Sequence, residues 1–177
     1  MEHTLQNLWV GVDIAESSRE PLEALTNNIK TYTQIMGIDF KYPSHHHMTL
    51  GYFKSITDHE LISLLHGLDD LKKTKNNIVL VNPNQPYDQT LHKITGRKSN
   101  VDDRFYFILI PHNPDNIYKK FIQDHSISPH ISLWSITHNT YHIDTLIPWI
   151  KYSRNIHLHN SSIVVDLSKI LMKFDYS

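Results

Sequence analysis

Two short segments of this sequence pair an imidazole with a hydroxyl at one spacing: His47-Met48-Thr49-Leu50 and His130-Ile131-Ser132-Leu133. Histidine is the side chain whose ordinary pKa lets it be neutral in one place and protonated in another near neutral pH. Two imidazoles on opposite sides of a phosphate could divide the work of cleavage. One takes the proton from an attacking hydroxyl or water, and the other protonates the departing oxygen. The hydroxyls of Thr49 and Ser132 could donate to the non-bridging phosphate oxygens as charge builds there. This chemistry needs no metal and no cofactor, and none is expected. The candidate catalytic residues are His47, Thr49, His130 and Ser132.

The spacing alone is weakly specific. The chain has 14 histidines, roughly threefold above ordinary usage, and the pattern also occurs at His138-Asn139-Thr140 and His159-Asn160-Ser161. Neither of those copies has the following leucine or sits in a clean strand pattern, so both are set aside. The first two motifs hold matching places in two copies of one architecture. In the first copy, Leu8 to Ile14 predicts a buried strand. A helix follows, with Ser17 or Ser18 as cap, Pro21 in its first turn and Leu22, Leu25, Ile29, Tyr32 and Met36 at helical spacing up to Gly37. A strand over His46 to Phe53 carries the first motif. Thr57 and Glu60 then have capping-box spacing ahead of a helix through Leu61, Leu64, Leu65, Leu68 and Leu71. Ile78 to Asn82 and Gln89 to Lys98 predict two strands separated by Pro83 and Pro86.

The second copy repeats the order. Arg104 to Ile110 predicts a strand, Asn113-Pro114 opens a helix ending near His125, His130 to Ile136 carries the second motif, and Asp144 to Lys151 predicts a short helix. Strands over Ile163 to Leu167 and Ile170 to Phe174 close the chain. Strand–helix–strand–helix therefore occurs twice, each time followed by a strand pair. No linker divides the chain, so one domain over residues 1–177 is expected. On a strand, side chains alternate faces, so His47 and Thr49 point together, as do His130 and Ser132. Met48, Leu50, Tyr52, Ile131 and Leu133 turn the other way, toward the helices. Pseudo-twofold symmetry would set the two histidines across a groove.

Composition bounds the partners. The chain has 177 residues, 17 Lys plus Arg, 18 Asp plus Glu and no cysteine. Its formal net charge of -1 argues against tight binding of long nucleic acid, which draws on a cationic surface. Without cysteine there is no disulfide, thiolate metal site or cysteine nucleophile. Met1 to Trp9 has no signal-peptide pattern, and nothing approaches the ~20 apolar residues of a membrane span. A protein of a reducing, cytoplasmic compartment is expected. Thirteen lysines against four arginines, with 21 isoleucines and 13 asparagines, mark an A/T-rich coding genome.

The paired motifs resemble those of the 2H (two-histidine) phosphoesterase superfamily, in its LigT-like branch, and the resemblance spans essentially the whole chain. It implies an α+β, bilobal fold with two pseudo-symmetric antiparallel sheets flanking a central groove and helices outside. It also implies metal-independent cleavage of 2′,3′-cyclic phosphates and 2′,5′-phosphodiesters, with His47 and His130 as the acid–base pair and Thr49 and Ser132 as phosphate ligands. Ser132 stands where threonine is commoner. Many bacterial members carry arginine two residues after the first hydroxyl, where this chain has Gly51. Virus-encoded members degrade 2′,5′-linked immune messengers, 2′,5′-oligoadenylate or the cyclic dinucleotide 2′,3′-cGAMP, and the compact size and A/T bias are similar. A small nucleotide is thus the expected partner, cGAMP ahead of oligoadenylate. A cyclic phosphodiesterase of RNA ends and a non-catalytic nucleotide-binding module are the alternatives.

Four residues are candidates for holding that nucleotide. By alternation, Trp134 shares a face with His130 and Ser132, and Phe53 with His47 and Thr49. Both either wall the groove and stack on a base, an interaction worth ~1–3 kcal/mol, or belong to the core. Tyr42 is a further stacking candidate. Arg97, in Gly96-Arg97-Lys98, either meets a phosphate or sits in a solvated turn. In the run His45-His46-His47 only His45 and His47 share a face, and no acidic or cysteine ligand stands beside them in the sequence, so no metal site is expected. His45 and His46 read as partly exposed residues leading into the strand, and His157 and His159 as alternating on a solvent-facing strand.

Overall fold

The computed structural model describes residues 3–74, 77–79, 92–111, 113, 115–158 and 163–174. The chain runs β1 (Thr4–Ile14), α1 (Glu16–Ile35), β2 (Phe40–Lys41), β3 (His47–Thr57), α2 (Asp58–Thr74), β4 (Asn77–Val79) and β5 (His92–Lys98). It continues with β6 (Arg104–Pro111), α3 (Asn116–His125), β7 (His130–Thr137), α4 (Thr140–His157) and β8 (Val164–Lys173). Residues 80–82 and 89–91 of the two expected middle strands, Pro83, Pro86, Pro114 and the His159 motif lie outside the described residues.

Local chemistry explains several boundaries. Thr57 Oγ1 accepts from the Glu60 amide and Glu60 Oε1 accepts from the Thr57 amide, both at 3.2 Å. That is the reciprocal box expected at the start of α2. α3 begins later than Asn113 because Asn113 Oδ1 accepts from the Asp115 amide, and Asp115 then caps the amides of Ile117 and Tyr118. α4 is longer than expected. It starts behind Asn139, whose side chain caps His142, and runs through Pro148 to His157. His157 is therefore helical, not on a strand. α1 starts at Glu16 without a side-chain cap, which leaves Pro21 inside it.

The strands form one antiparallel sheet in the order β4-β8-β1-β3-β7-β6-β5, with β2 added to β7. Two sheets were expected. They are joined into one because β3 and β7 pair over just Met48↔Ile131 and Thr49↔His130. A pseudo-twofold at that short ladder relates β1 to β6 and β8 to β5. The outer strands are exchanged: β5 follows the first copy but pairs with β6 of the second, while β8 follows the second and pairs with β1 of the first. The two terminal strands expected from the sequence are one strand. Between Asp166 and Ile170 it bulges away from β1, and Asp166 Oδ1 holds the Ser168 amide and hydroxyl.

The helices pair across the copies, α1 with α4 and α2 with α3. They bury one face of the sheet: Leu8, Val10, Val12, Ile14, Met48, Leu50, Ile131 and Leu133 pack with Leu22, Leu25, Ile29 and Leu64 in one core. Each such side chain, wholly removed from water, contributes about 1.5–3 kcal/mol. The sheet's other face carries the motif side chains. Among the described residues no helix is long and apolar enough to cross a membrane.

Candidate active site

The ladder between β3 and β7 decides the geometry. Thr49 and His130 are direct cross-strand partners, so both lie on one face. His47, two residues before Thr49, shares that face and is the diagonal neighbour of His130, a relation that spans about 7–8 Å. Ser132 continues the face along β7 and is exposed. The sheet thus sets on one face the four side chains that the sequence singles out.

Each motif contains a β-bulge at its leucine. Val10 pairs with Gly51 and Gly11 with Thr49, which leaves Leu50 as the extra residue. Phe107 pairs with Trp134 and Ile108 with Ser132, which leaves Leu133 extra. Both leucines are fully buried. A bulge turns two successive side chains to one face, and the alternation expected beyond each motif is therefore inverted. Tyr52, opposite Trp9, takes the site face, whereas Phe53, opposite the buried Leu8, packs its half-buried ring against the core and meets the cleft at its wall. Trp134 is buried at 2% exposure between Phe107 and Phe40, so it is a core residue and no free stacking surface.

Where β3 and β7 part, a depression of about 520 Å³ opens, lined by Trp9, Thr49, Tyr52, Arg97, His125 and His130 together with Gly51, Phe53 and the Ser126–Ser128 loop. That volume lies in the range of small-molecule sites. Arg97, on β5, thus faces His130. Gly51 is constrained by contact: a Cβ there would stand 2.7 Å from Ile127 Cγ2, so a side chain would require Ile127 to shift. A second depression, of about 340 Å³, meets Ser132, Trp134, Tyr42, Lys41, Arg104 and Tyr106. Tyr42 is held there by Lys30 Nζ at 2.9 Å from its hydroxyl. Tyr42 and Ser132 therefore line a different hollow from Thr49 and His130.

Hydrogen bonds set the proton inventory. His130 Nδ1 stands 3.0 Å from the Ser128 carbonyl. A carbonyl only accepts, so Nδ1 carries the proton and Nε2 of the neutral ring offers its lone pair. Burial is the main cause that lowers the His130 pKa below its ordinary value; the Ser128 bond opposes this and Arg97 adds to it. Trp9 Nε1 donates to Thr49 Oγ1 at 3.1 Å, and the threonine's own proton is left to donate elsewhere. His47 Nε2 lies 3.6 Å from Asp13 Oδ1 and its ring is edge-on to Trp9. Burial, then the neighbouring His45, lower its pKa, with Asp13 opposing.

Asp13, Trp9 and Tyr52 escaped the sequence reading. Asp13 and Trp9 reach the site through the β1–β3 register, a long-range pairing, and the signal available was their alternation with buried Leu8, Val10 and Val12. Asp13 also corrects the view that no acidic group stands beside the histidine run, since His45 Nε2 is 3.3 Å from Asp13 Oδ1. His45 is partly exposed as expected, but His46 is buried with Nε2 at 3.5 Å from Thr26 Oγ1.

No family model and no curated protein sequence matches the chain. Solved structures do. Usb1 of Kluyveromyces marxianus, alone and with uridine monophosphate, superposes at a TM-score of 0.51 over 97% of this chain and 94% of that one, at 7% identity. At that identity the likeness is one of architecture: this chain has the two-lobed α+β fold of the 2H phosphoesterases.

Proposed function

We propose that the chain is a phosphodiesterase that cleaves 2′,5′-linked small nucleotides by histidine acid–base catalysis, with 2′,3′-cGAMP as its substrate. The observation that carries the reading is the β3–β7 ladder, which puts His47, Thr49 and His130 on one face of the sheet, where Thr49 and His130 line a nucleotide-sized cleft. His130 Nε2 takes the proton of the free 3′-hydroxyl beside a 2′,5′ bond. That oxygen attacks phosphorus in line, the bond from phosphorus to the 5′-oxygen breaks, and His47 delivers the proton that the leaving 5′-oxygen needs. The product is a 2′,3′-cyclic phosphate. Asp13 beside His47 Nε2 favours the protonated ring, against the burial and the neighbouring His45 that lower its pKa overall, and the Thr49 hydroxyl donates to a non-bridging oxygen.

A panel of 2′,3′-cGAMP, 2′,5′-oligoadenylate, their all-3′,5′ isomers and 2′,3′-cyclic mononucleotides, run with chelator present, tests this. Preferential turnover of the 2′,5′ compounds is expected; equal turnover of the isomers removes the linkage claim. The uridine monophosphate in the Usb1 structure favours a second reading, hydrolysis of 2′,3′-cyclic ends of RNA. Activity on those ends without activity on 2′,5′ linkages would establish it.

Trp9 provides a graded check. Trp9→Phe keeps a ring against His47 and deletes the donor to Thr49. One neutral hydrogen bond contributes about 0.5–1.5 kcal/mol, so kcat should fall roughly 2- to 10-fold with thermal stability nearly unchanged. An unaltered kcat would show that Thr49 needs no orienting partner.

A further inference from the structure

The same side of the sheet holds a second constellation, which overlaps the proposed acid–base pair at His47. A ring nitrogen of His45, a ring nitrogen of His47 and a carboxylate oxygen of Asp13 all lie within 4.8 Å of one another. Zinc bonds of about 2.0–2.1 Å to nitrogen and oxygen place neighbouring ligand atoms of a tetrahedral site about 3.3–3.4 Å apart. Asp13 Oδ1 is 3.3 Å from His45 Nε2 and 3.6 Å from His47 Nε2, so two edges of such a tetrahedron are already set. Arg19 occupies the other carboxylate oxygen at 3.3 Å and donates from Nε to the Ile14 carbonyl. It thereby fixes the Asp13 side chain with Oδ1 turned to the imidazoles, as outer partners do for metal ligands. All three side chains keep contact with solvent, which leaves the fourth position to water.

We propose that Asp13, His45 and His47 bind zinc or a similar divalent ion, and that this binding switches the enzyme off by occupying the His47 nitrogen needed for proton transfer. The inhibitory half rests on the reading of His47 as a catalytic residue; the binding half does not. His45 transfers no proton in the proposed mechanism, which makes it the residue to change.

The experiment uses the whole chain stripped with chelator and then dialysed. Zinc titration by calorimetry, with the cobalt(II) absorption spectrum as a second readout, should show one ion per chain and a tetrahedral cobalt signature. Turnover of the best nucleotide in the panel should fall as that site fills. His45→Ala should weaken zinc binding at least ~10-fold, shift the inhibition midpoint equally and leave the zinc-free rate near the parent's. No heat and no cobalt spectrum, binding unaffected by His45→Ala, or a rate that rises with zinc would each overturn the proposal. If no nucleotide is turned over even without zinc, the phosphodiesterase reading fails, while calorimetry still decides the site.

Discussion

Replacing His130 by alanine should lower kcat/KM for the preferred 2′,5′-linked nucleotide by at least ~10²-fold, and His47→Ala should do the same. Because both rings act on one phosphorus in one step, the double variant should be scarcely slower than either single one. Independent, multiplying losses would mean that the two histidines serve separate events. Far-ultraviolet circular dichroism and the thermal midpoint separate these losses from unfolding, since both rings sit at the open face of the sheet and neither belongs to the core cluster. A pH signature accompanies the loss. Burial and Arg97 disfavour the His130 cation, so its neutral, proton-accepting form persists below the ordinary histidine value. The acid limb of kcat/KM that reports His130 should therefore lie below about pH 6.5, and Arg97→Ala should move it upward.

Thr49→Val should cost about 10²–10³ in kcat with KM little changed, the loss that follows when a donor aimed at developing phosphate charge is removed. Valine preserves the shape of the side chain on β3. What disappears is a hydroxyl whose oxygen accepts from Trp9 and which, in the proposed mechanism, donates to a non-bridging phosphate oxygen. Thr49→Ser retains that arrangement and should stay near parental activity. A rise in KM at constant kcat in Thr49→Val would instead mark Thr49 as a ground-state binding residue.

How much of this site was legible in the sequence follows from the range of the interactions involved. His47, Thr49, His130 and Ser132 share a face by strand alternation, a local property, and the repeated order of elements located them. The Thr57–Glu60 box is local too, and it stands where the sequence put it. Trp134 lies in the core and Phe53 turns toward it, though Phe53 still meets the cleft at its wall, because alternation breaks at Leu50 and Leu133, the two bulge residues, and a bulge is specified by the partner strand rather than by the strand itself. Asp13 and Trp9 are set beside the histidines by the pairing of β1 with β3, a contact between distant parts of the chain. The single sheet in place of two depends on two residue pairs at the β3–β7 junction, which no local pattern encodes. α4 was read short because the pattern was started at Asp144, although Asn139 caps its first turn and Pro148 interrupts its apolar spacing without ending it.

In the proposed mechanism one phosphate is held between the rings of His47 and His130. Nitrogen-15 spectra of the histidine side chains, recorded with chelator during titration with a non-hydrolysable 2′,5′-linked phosphorothioate dinucleotide, measure this at the atoms concerned. Both Nε2 resonances should move, following one saturation curve with one dissociation constant. If a single ring responds, or the two follow different curves, the phosphate is not shared and the account is wrong.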